Sequence, residues 1–430
     1  MIWELSSRSL VSENSDRGKK LNSAQKSWLL YDPAISAYAM IVRTVAAPIF
    51  FAHFARGIMS QSVSTAAWGY SCSIAGIVAG VISVLAGPVI DARRKKVQAV
   101  AFFTVMGVLS TLAYLLIPAL GVPEIAPYLI LAINFAGIIA FMGANSFYDS
   151  LLIDITCKNE RDKVSSLGFA LGYAGALVSF LLTMPFLKAA DGKYFFTGAF
   201  TIAALWWISG SLPLFFKVKE TAVTQENSIK LGETLKFIFT QKNILIFLIA
   251  YFLYIDGVGT IMMQATLIAN SLKISETYIM LTILGLQVIG LPFTLLFGFL
   301  ANKFSAKKMI YSAIVIYILI AAIVGVMSFT PHLTLRQILF FTAAGLIGTA
   351  QGGIQSLSRS LFSKIIPQER AAELFAVYNI FGRFTTIVGP LLMIPAAVFL
   401  WDKAELGITL MIVPFITGFI LLSKVKVPEN

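Results

Sequence analysis

The chain has 430 residues, of which 58% are apolar and only 13% are charged, and its mean hydropathy is +0.83. Soluble domains carry about 25% charged residues, so this composition excludes a soluble globular protein. Long apolar runs indicate membrane-spanning helices rather than a β-barrel. The formal net charge of +12 does not predict nucleic-acid binding, because the basic residues are spread over short loops between apolar segments.

Twelve apolar segments follow one another along the chain, and each is long enough to cross a bilayer as a helix. They span 28–54, 66–90, 98–118, 126–148, 164–187, 194–216, 243–270, 278–301, 308–329, 337–357, 371–400 and 406–423. We therefore expect an all-α integral membrane protein with twelve transmembrane helices.

The longest polar stretch between the segments divides the twelve into two groups of six. The predicted parts are a tail at 1–27, a six-helix bundle at 28–216, a linker at 217–242, a second bundle at 243–424 and a tail at 425–430. The first 27 residues lack the apolar stretch of a signal peptide, so we expect a polar tail there.

The distribution of lysine and arginine predicts the orientation. With the N-terminus inside, 25 of the 33 basic residues lie on the inner side and six on the outer side. Two more lie within membrane segments. We expect both termini in the cytosol, in a multi-pass protein of a bacterial inner (cytoplasmic) membrane.

Short sequence similarities suggest that the two groups of six are copies of each other. SWLLYD at 27–32 in the first group resembles YFLYID at 251–256 in the second. GPVIDARRKK at 87–96 resembles GFLANKFSAKK at 298–308. Two repeated six-helix bundles joined by a linker are typical of transporters with parallel repeats.

Three charged residues are predicted near the middle of the membrane, where charge is costly unless it faces the protein interior. Arg43 lies 11 residues beyond Asp32 in the first segment, which is about 16 Å deeper at the helical rise. Asp256 lies in the seventh segment and Arg383 in the eleventh. We expect these three to converge on one water-accessible cavity and to bind substrate or a coupling proton. Static ion pairs among them are the alternative, and for Asp32 we expect a helix cap or a gate contact.

Polar residues on three other segments predict further cavity contacts. Gln351, Gln355 and Arg359 recur at i, i+4 and i+8, so they share one helical face. Asn379 precedes Arg383 by one turn, and Asn145 lies on a polar stripe of the fourth segment. We expect Asn145, Gln355 and Asn379 to bind substrate; for Asn145, hydrogen bonding between helices is the alternative.

The sequence carries no nucleophile elbow, metal-ligand cluster or phosphate-binding loop. We therefore expect no enzyme activity, no cofactor and no metal. The expected partners are a small-molecule substrate, protons as a coupling ion and the lipid bilayer, without nucleic acid, and we expect a monomer.

The loop after the second segment resembles a signature of the major facilitator superfamily. Gly87, Asp91, Arg93 and Lys95 match its glycine, acid and basic positions. In the second copy Gly298 matches, whereas Asn302 replaces the acid. The resemblance implies that Asp91 latches the inner ends of the two halves together when the cavity opens outward. The docking area would be the inner start of the eleventh segment, at Arg370 and Glu373, and the Asn302 latch would be weaker.

A finer resemblance is to the vacuole-effluxer branch of that superfamily, which includes fungal autophagy-related amino-acid exporters and bacterial relatives. The matching stretches, in order, are LYDPAISAY (30–38), FYDSLLIDI (147–155), SSLGFALGYAGAL (165–177), AYFLYIDGVGT (250–260) and QSLSRSLFSKIIPQER (355–370). The branch implies amino-acid export. We therefore expect a secondary transporter of a small polar solute, an amino acid or an organic anion, that works by alternating access. The alternatives are a proton-coupled exporter of drug-like or sugar-like molecules and a membrane scaffold that does not transport.

Overall fold

The computed structural model describes residues 20–187, 189–190, 193–194, 196–220, 231–272, 274–383, 397, 399–400 and 406–427. Membrane helices are numbered α1 to α12 below, to match the twelve predicted segments. The side chain of Arg383 lies outside the described part of the chain.

The N-terminal half contains α1 to α6. Helix α1 is built from Ser23–Leu29, Tyr31–Ala37, the π-helical Tyr38–Ala46 and Ala47–Ala55. The next helices are α2 (Gln61–Arg93), α3 (Lys96–Ala113, continued by the 3₁₀ turn Tyr114–Leu120) and α4 (Ala126–Ser150, then Leu152–Ile155). Helix α5 (Arg161–Thr183) lies between the 3₁₀ turns Lys158–Glu160 and Met184–Leu187, and α6 is Phe196–Lys217. Two short strands, β1 (Ala189–Ala190) and β2 (Lys193–Tyr194), pair antiparallel before α6.

The C-terminal half contains α7 to α12, preceded by a linker helix at Leu231–Thr240. Its helices are α7 (Lys242–Ser271), α8 (Glu276–Phe304), α9 (Ala306–Phe329), α10 (Leu333–Ile365) and α11 (Ala371–Arg383, after the 3₁₀ turn Gln368–Arg370). Helix α12 is built from Leu406–Leu410 and Ile412–Ser423. Of the predicted segment 371–400, the part between 384 and 396 lies outside the described residues.

Eleven helices in the described part of the chain are long and apolar enough to cross a membrane. Several extend beyond the predicted segments: α10 was expected at 337–357 and runs over Leu333–Ile365. The difference arises because hydropathy detects only the apolar middle of a helix. The backbone hydrogen bonds continue into polar turns at both ends.

Buried apolar side chains form two large clusters, one for each half. The first extends from Trp28 to Val218 and contains one residue of the other half, Ala372. The second extends from Ile238 to Val425 and contains two residues of the first half, Val84 and Ile153. Large apolar side chains such as Phe102, Phe216 and Phe299 are instead exposed on the outer surface, where a lipid bilayer covers them.

Candidate functional site

A cavity of about 430 Å³ lies between the two halves. Helices α1, α4 and α5 form one wall, and α7, α8, α10 and α11 form the other. Its polar lining consists of Asp32, Ser36, Thr44, Asn145, Asp149, Tyr173, Tyr251, Gln287, Gln351, Gln355, Arg359, Tyr378 and Asn379. Amides and phenols thus dominate, and the charged members are two carboxylates and one guanidinium.

A second cavity of about 300 Å³ adjoins the first. The two share Met40, Thr44, Tyr173, Gln287 and Gln351. Its other walls are mostly aliphatic, with side chains from α7, α8, α9 and α10. A molecule bound across both cavities would therefore meet charge at one end and apolar surface at the other.

Arg359 is the central contact at the charged end of the first cavity. Its side chain is only 3% exposed, and Nη1 donates to Asp149 Oδ1 over 2.9 Å. Nε donates to Ser165 Oγ at 2.9 Å and Nη2 to the carbonyl oxygen of Ser165 at 3.0 Å. Asp32 Oδ2 lies 3.5 Å from Nη2. Because Arg359 lies on α10 and its partners on α1, α4 and α5, this guanidinium joins the two halves.

Aromatic rings and one phenol support this charged group. The guanidinium carbon of Arg359 lies 4.4 Å from the ring centroid of Phe169 and 4.8 Å from that of Trp28. Such contacts favour a desolvated cation. The hydroxyl of Tyr148 donates to Asp32 Oδ2 at 2.7 Å, and its ring stacks on Trp28. Asn379 Nδ2 donates to Asp149 Oδ2 at 3.1 Å. Besides Arg359, Asp32 is therefore bonded to a phenol and Asp149 to an amide.

Below the cavity, α5 and α10 meet through small hydroxyl side chains. Ser165 Oγ donates to the carbonyl oxygen of Ser356 at 2.7 Å, and the hydroxyls of Ser166 and Ser356 lie 3.3 Å apart. All three serines are buried. Small side chains let the two helices approach closely. Water can replace their polar contacts when the interface opens.

Charged contacts extend the same interface to the end of the bundle where α5 begins. Lys364 Nζ lies 2.6 Å from Asp162 Oδ2, and Ser360 also donates to that carboxylate. Arg161 Nη1 donates to the carbonyl oxygen of Ser363 at 2.6 Å. We call this the closed end of the molecule, and the opposite end, where α10 begins, the far end.

The last turns of α2 close the same end on the other side of the cavity. Asp91 accepts the backbone N–H groups of Ala372 at 3.0 Å and Glu373 at 2.8 Å. These are the first N–H groups of α11, which lack partners within the helix, so the carboxylate caps it. Gly87 faces the same turn, and a Cβ added there would lie 2.7 Å from Glu373 Cα. Arg370 pairs with Glu373 within its own half at 2.6 Å.

A buried lysine connects this contact to the rest of the N-terminal half. Lys96 Nζ lies 2.9 Å from Asp154 Oδ2 and 3.6 Å from Asp91 Oδ1. Glu220, after α6, accepts the N–H of Val97 at 3.1 Å, and burial raises the pKa of this carboxyl. At the start of α3, Asp154 thus holds the side chain of Lys96 and Glu220 holds the backbone N–H of Val97.

The structure brings some of the predicted substrate-binding residues together and leaves others apart. Asn145, Gln355 and Asn379 line the first cavity. Arg43 is exposed, with its guanidinium carbon 4.9 Å from the ring centroid of the cavity residue Phe141, but it is not part of the lining. Asp256 is fully buried and is not part of the lining, although its chain neighbour Ile255 is.

The predicted gate residues also divide into two groups. Gly87, Asp91 and Glu373 take part in the contact between α2 and α11, and Arg370 pairs with Glu373 within its own half. Arg93 and Lys95 are exposed. In the second copy, Gly298 packs against Ser166 of α5, while Asn302 is exposed. The contacts of Asp162 and Arg161 with α10 close this side instead.

Sequence reasoning missed the carboxylates that pair with Arg359. Asp149 was not predicted as a site residue, and Asp32 was expected to cap a helix or contact a gate. Both follow a tyrosine in the stretches LYD and FYD. That shared dipeptide, within segments where acids are rare, is the signal that could have identified them.

Comparison with known proteins places the chain in a family. A family model described as vacuole effluxer Atg22 like matches residues 57–428. The chain belongs to this family. The "Uncharacterized MFS-type transporter YxiO" of Bacillus subtilis is 34% identical to this chain over 428 aligned positions, and the alignment covers 96% of each protein. Autophagy-related protein 22 of Saccharomyces cerevisiae is 26% identical over 356 residues, covering 69% of this chain and 66% of the yeast protein.

Solved structures show the same fold as this Atg22-like chain. FucP, a transporter of the major facilitator superfamily in the outward conformation, superposes with a TM-score of 0.72 at 11% identity, over 95% of this chain and all of FucP. The proton:xylose symporter XylE gives a TM-score of 0.71 at 15% identity, over 94% and 95% of the two chains. The predicted family and fold are thus confirmed. The protein is a multi-pass membrane transporter of the major facilitator type and not an enzyme.

Proposed function

We propose that this protein carries an amino acid or a similar small polar solute across the membrane by alternating access. The observation that carries the proposal is the cavity between the halves, lined by side-chain amides, phenols and a charged group. Pockets that bind small polar ligands combine a few convergent polar groups with apolar walls, as the two adjoining cavities do. A scaffold that does not transport has no need for buried charge at this depth.

The contacts between the halves support the alternating-access part of the proposal. Arg359, the serines of α5 and α10, and Asp91 hold the two halves together at the closed end. These contacts are polar and involve few large side chains. Rocking of the halves would exchange them for water at modest cost, and the substrate would then leave on the side of the chain termini.

Export of the solute follows from the family and is the finer part of the proposal. Autophagy-related protein 22 belongs to a family described as vacuole effluxers. The charge of the cavity argues for an amino acid over an organic anion, because its lining carries two carboxylates against one guanidinium.

A thermal-shift screen of the purified protein tests this proposal. Amino acids, organic acids, nucleotides and sugars are each added in excess, and a solute at 100 times its Kd stabilises the protein by about 2.7 kcal/mol. We expect an amino acid to raise the melting temperature of wild type. The double variant Asn145→Ala/Gln355→Ala should lose the shift.

Gln98→Ala is the matched control, because Gln98 is exposed on α3. It should bind like wild type. The proposal fails if no solute in the four classes stabilises wild type, or if the shift persists in the double variant.

A further inference from the structure

The charges at the closed end of the first cavity are not balanced. Asp32 and Asp149 both line the cavity, and Arg359 is the cation that contacts them. Of the other charged side chains that the structure describes on these helices, Arg43 rests on the ring of Phe141 and Asp256 is buried outside the lining. The described lining thus has a formal charge of −1, which favours a cationic group in the cavity.

Asp32 and Asp149 are equally exposed to the cavity, and Asp149 is the one that has side-chain amides beside it. A carboxylate has about four acceptor positions. Arg359 uses one on Oδ1 and Asn379 one on Oδ2. The side chain of Asp149 remains 11% exposed, whereas that of Arg359 is 3% exposed. Asn145 lies one turn earlier on α4 and also lines the cavity, so an amide oxygen is available beside the carboxylate.

We propose that Asp149 binds a protonated amine of the substrate, with the rest of the molecule directed toward the apolar second cavity. This inference rests on the proposed function and assigns one end of the cavity to the ammonium group. An ammonium group donates three hydrogen bonds, and the oxygens of Asp149 and of the Asn145 amide are suitable acceptors. The aliphatic walls beyond Tyr173 and Met40 would then contact an apolar substituent.

Binding of an ammonium group would also loosen the closed end. The ammonium competes with Arg359 for Asp149, and Arg359 keeps its contacts with Ser165 and Asp32. The bond between Arg359 and Asp149 joins α10 to α4 across the two halves. Weakening it favours the state in which the closed end opens, so occupancy of the cavity would shift the conformational equilibrium.

Three probes that differ in charge test the assignment by thermal shift and by calorimetry. L-Valine carries an ammonium and a carboxylate, L-valinamide only the ammonium, and N-acetyl-L-valine only the carboxylate. We expect valine and valinamide to bind wild type and N-acetyl-valine not to bind.

Asp149→Asn should weaken valinamide binding by about tenfold or more, because a charge-assisted contact is lost. Asp149→Glu retains the charge and should keep the preference for ammonium over N-acetyl probes.

The control is Glu124→Gln, which changes an exposed acid in the turn between α3 and α4 and should leave binding unchanged. The inference is overturned if N-acetyl-valine binds and valinamide does not, or if none of the three probes binds. It is also overturned if Asp149→Asn keeps its affinity for valinamide and loses only the pH dependence, since Asp149 would then bind a proton instead. If the solute screen finds only a ligand that lacks an amine, this inference fails and the proposed function stands. If the screen finds no ligand at all, the proposed function fails as well.

Discussion

At the scale of single residues, Arg359 is the side chain on which the closed state depends most. It lies on the same helical face as Gln351 and Gln355, as the spacing predicted, and all three line the cavity. Its guanidinium contacts an aspartate and a serine at the same time. Only a planar fork of donors can make these contacts together, so lysine is a poor replacement despite its charge.

Substitution of Arg359 should therefore destabilise the protein. Removing one partner of a buried ion pair typically costs about 3–5 kcal/mol. We expect Arg359→Ala to lower the melting temperature strongly, with Arg359→Lys intermediate. Thermal unfolding of the protein in detergent checks this. Equal melting temperatures for wild type and both variants would show that the pair does not stabilise the closed state.

Asp256 remains the residue for which the sequence predicts a role in proton coupling. It is fully buried and does not line the cavity in this conformation. If substrate binding frees Asp256 to take up a proton, affinity falls as pH rises, and Asp256→Asn keeps binding but loses that dependence. Calorimetric titration of wild type and variant at two pH values checks this. A variant with the pH dependence of wild type would remove Asp256 from the coupling step.

At the scale of helices, close approach of α2 and α11 decides how tightly the closed end seals. Gly87 lets the two backbones meet, and Asp91 then reaches the free N–H groups at the start of α11. The resemblance to the superfamily signature predicted this docking area. It could not predict that backbone N–H groups, and not the side chains of Arg370 or Glu373, receive the carboxylate.

Gly87→Ala should open the closed end by steric conflict. The new Cβ would lie 2.7 Å from Glu373 Cα and 3.1 Å from its nitrogen, and backbone cannot move aside cheaply. Gly76→Ala is a matched control on the same helix, because its Cβ would meet only the flexible side chain of Met142 at 3.8 Å. In a variant with Cys72 and Cys157 replaced by serine, a cysteine is introduced at the buried Ser363, whose hydroxyl bonds within α10. Its reactivity toward a water-soluble thiol reagent measures the opening. We expect faster labelling with Gly87→Ala only, and equal rates would contradict the steric argument.

Asp91→Asn tests the capping contact without adding bulk. The amide retains one acceptor but loses the charge that favours a helix N-terminus. We expect expression like that of wild type, weaker closure and loss of transport. Uptake of the solute identified by the screen into proteoliposomes provides the measurement, and transport at the wild-type rate would show that the latch is dispensable.

The contact between α5 and α10 marks the limit of what the sequence could predict. Apolar runs predict the membrane segments, and residue spacing predicts the polar face of α10, because burial in a bilayer restricts each helix strongly. The pairing of Asp149 with Arg359 joins residues 210 positions apart, and no local pattern encodes which distant helix faces which. The three mid-membrane charges were grouped by depth alone. Depth does not fix the direction of a side chain around the helix axis, and Arg43 and Asp256 accordingly fall outside the cavity lining.

At the scale of the whole molecule, the two halves pack as separate clusters that meet through polar contacts at one end. The distribution of lysine and arginine predicts that this end faces the cytosol. In that orientation these contacts close the cavity toward the cytosol, and the solute crosses by a change in the angle between the halves. Alternating access therefore requires the two ends to open and close in opposition.

Distances between spin labels at both ends measure this opposition most directly. Cys72 and Cys157 are first replaced by serine, and labels are then placed at exposed positions in each half. Lys158 and Glu369 report on the closed end, and Ile58 and Thr334 report on the far end. On addition of the solute found by the screen, we expect the population with a longer distance at the closed end to grow together with a shorter distance at the far end. Distances that do not change at either end, or that lengthen at both ends together, would contradict alternating access by these two halves.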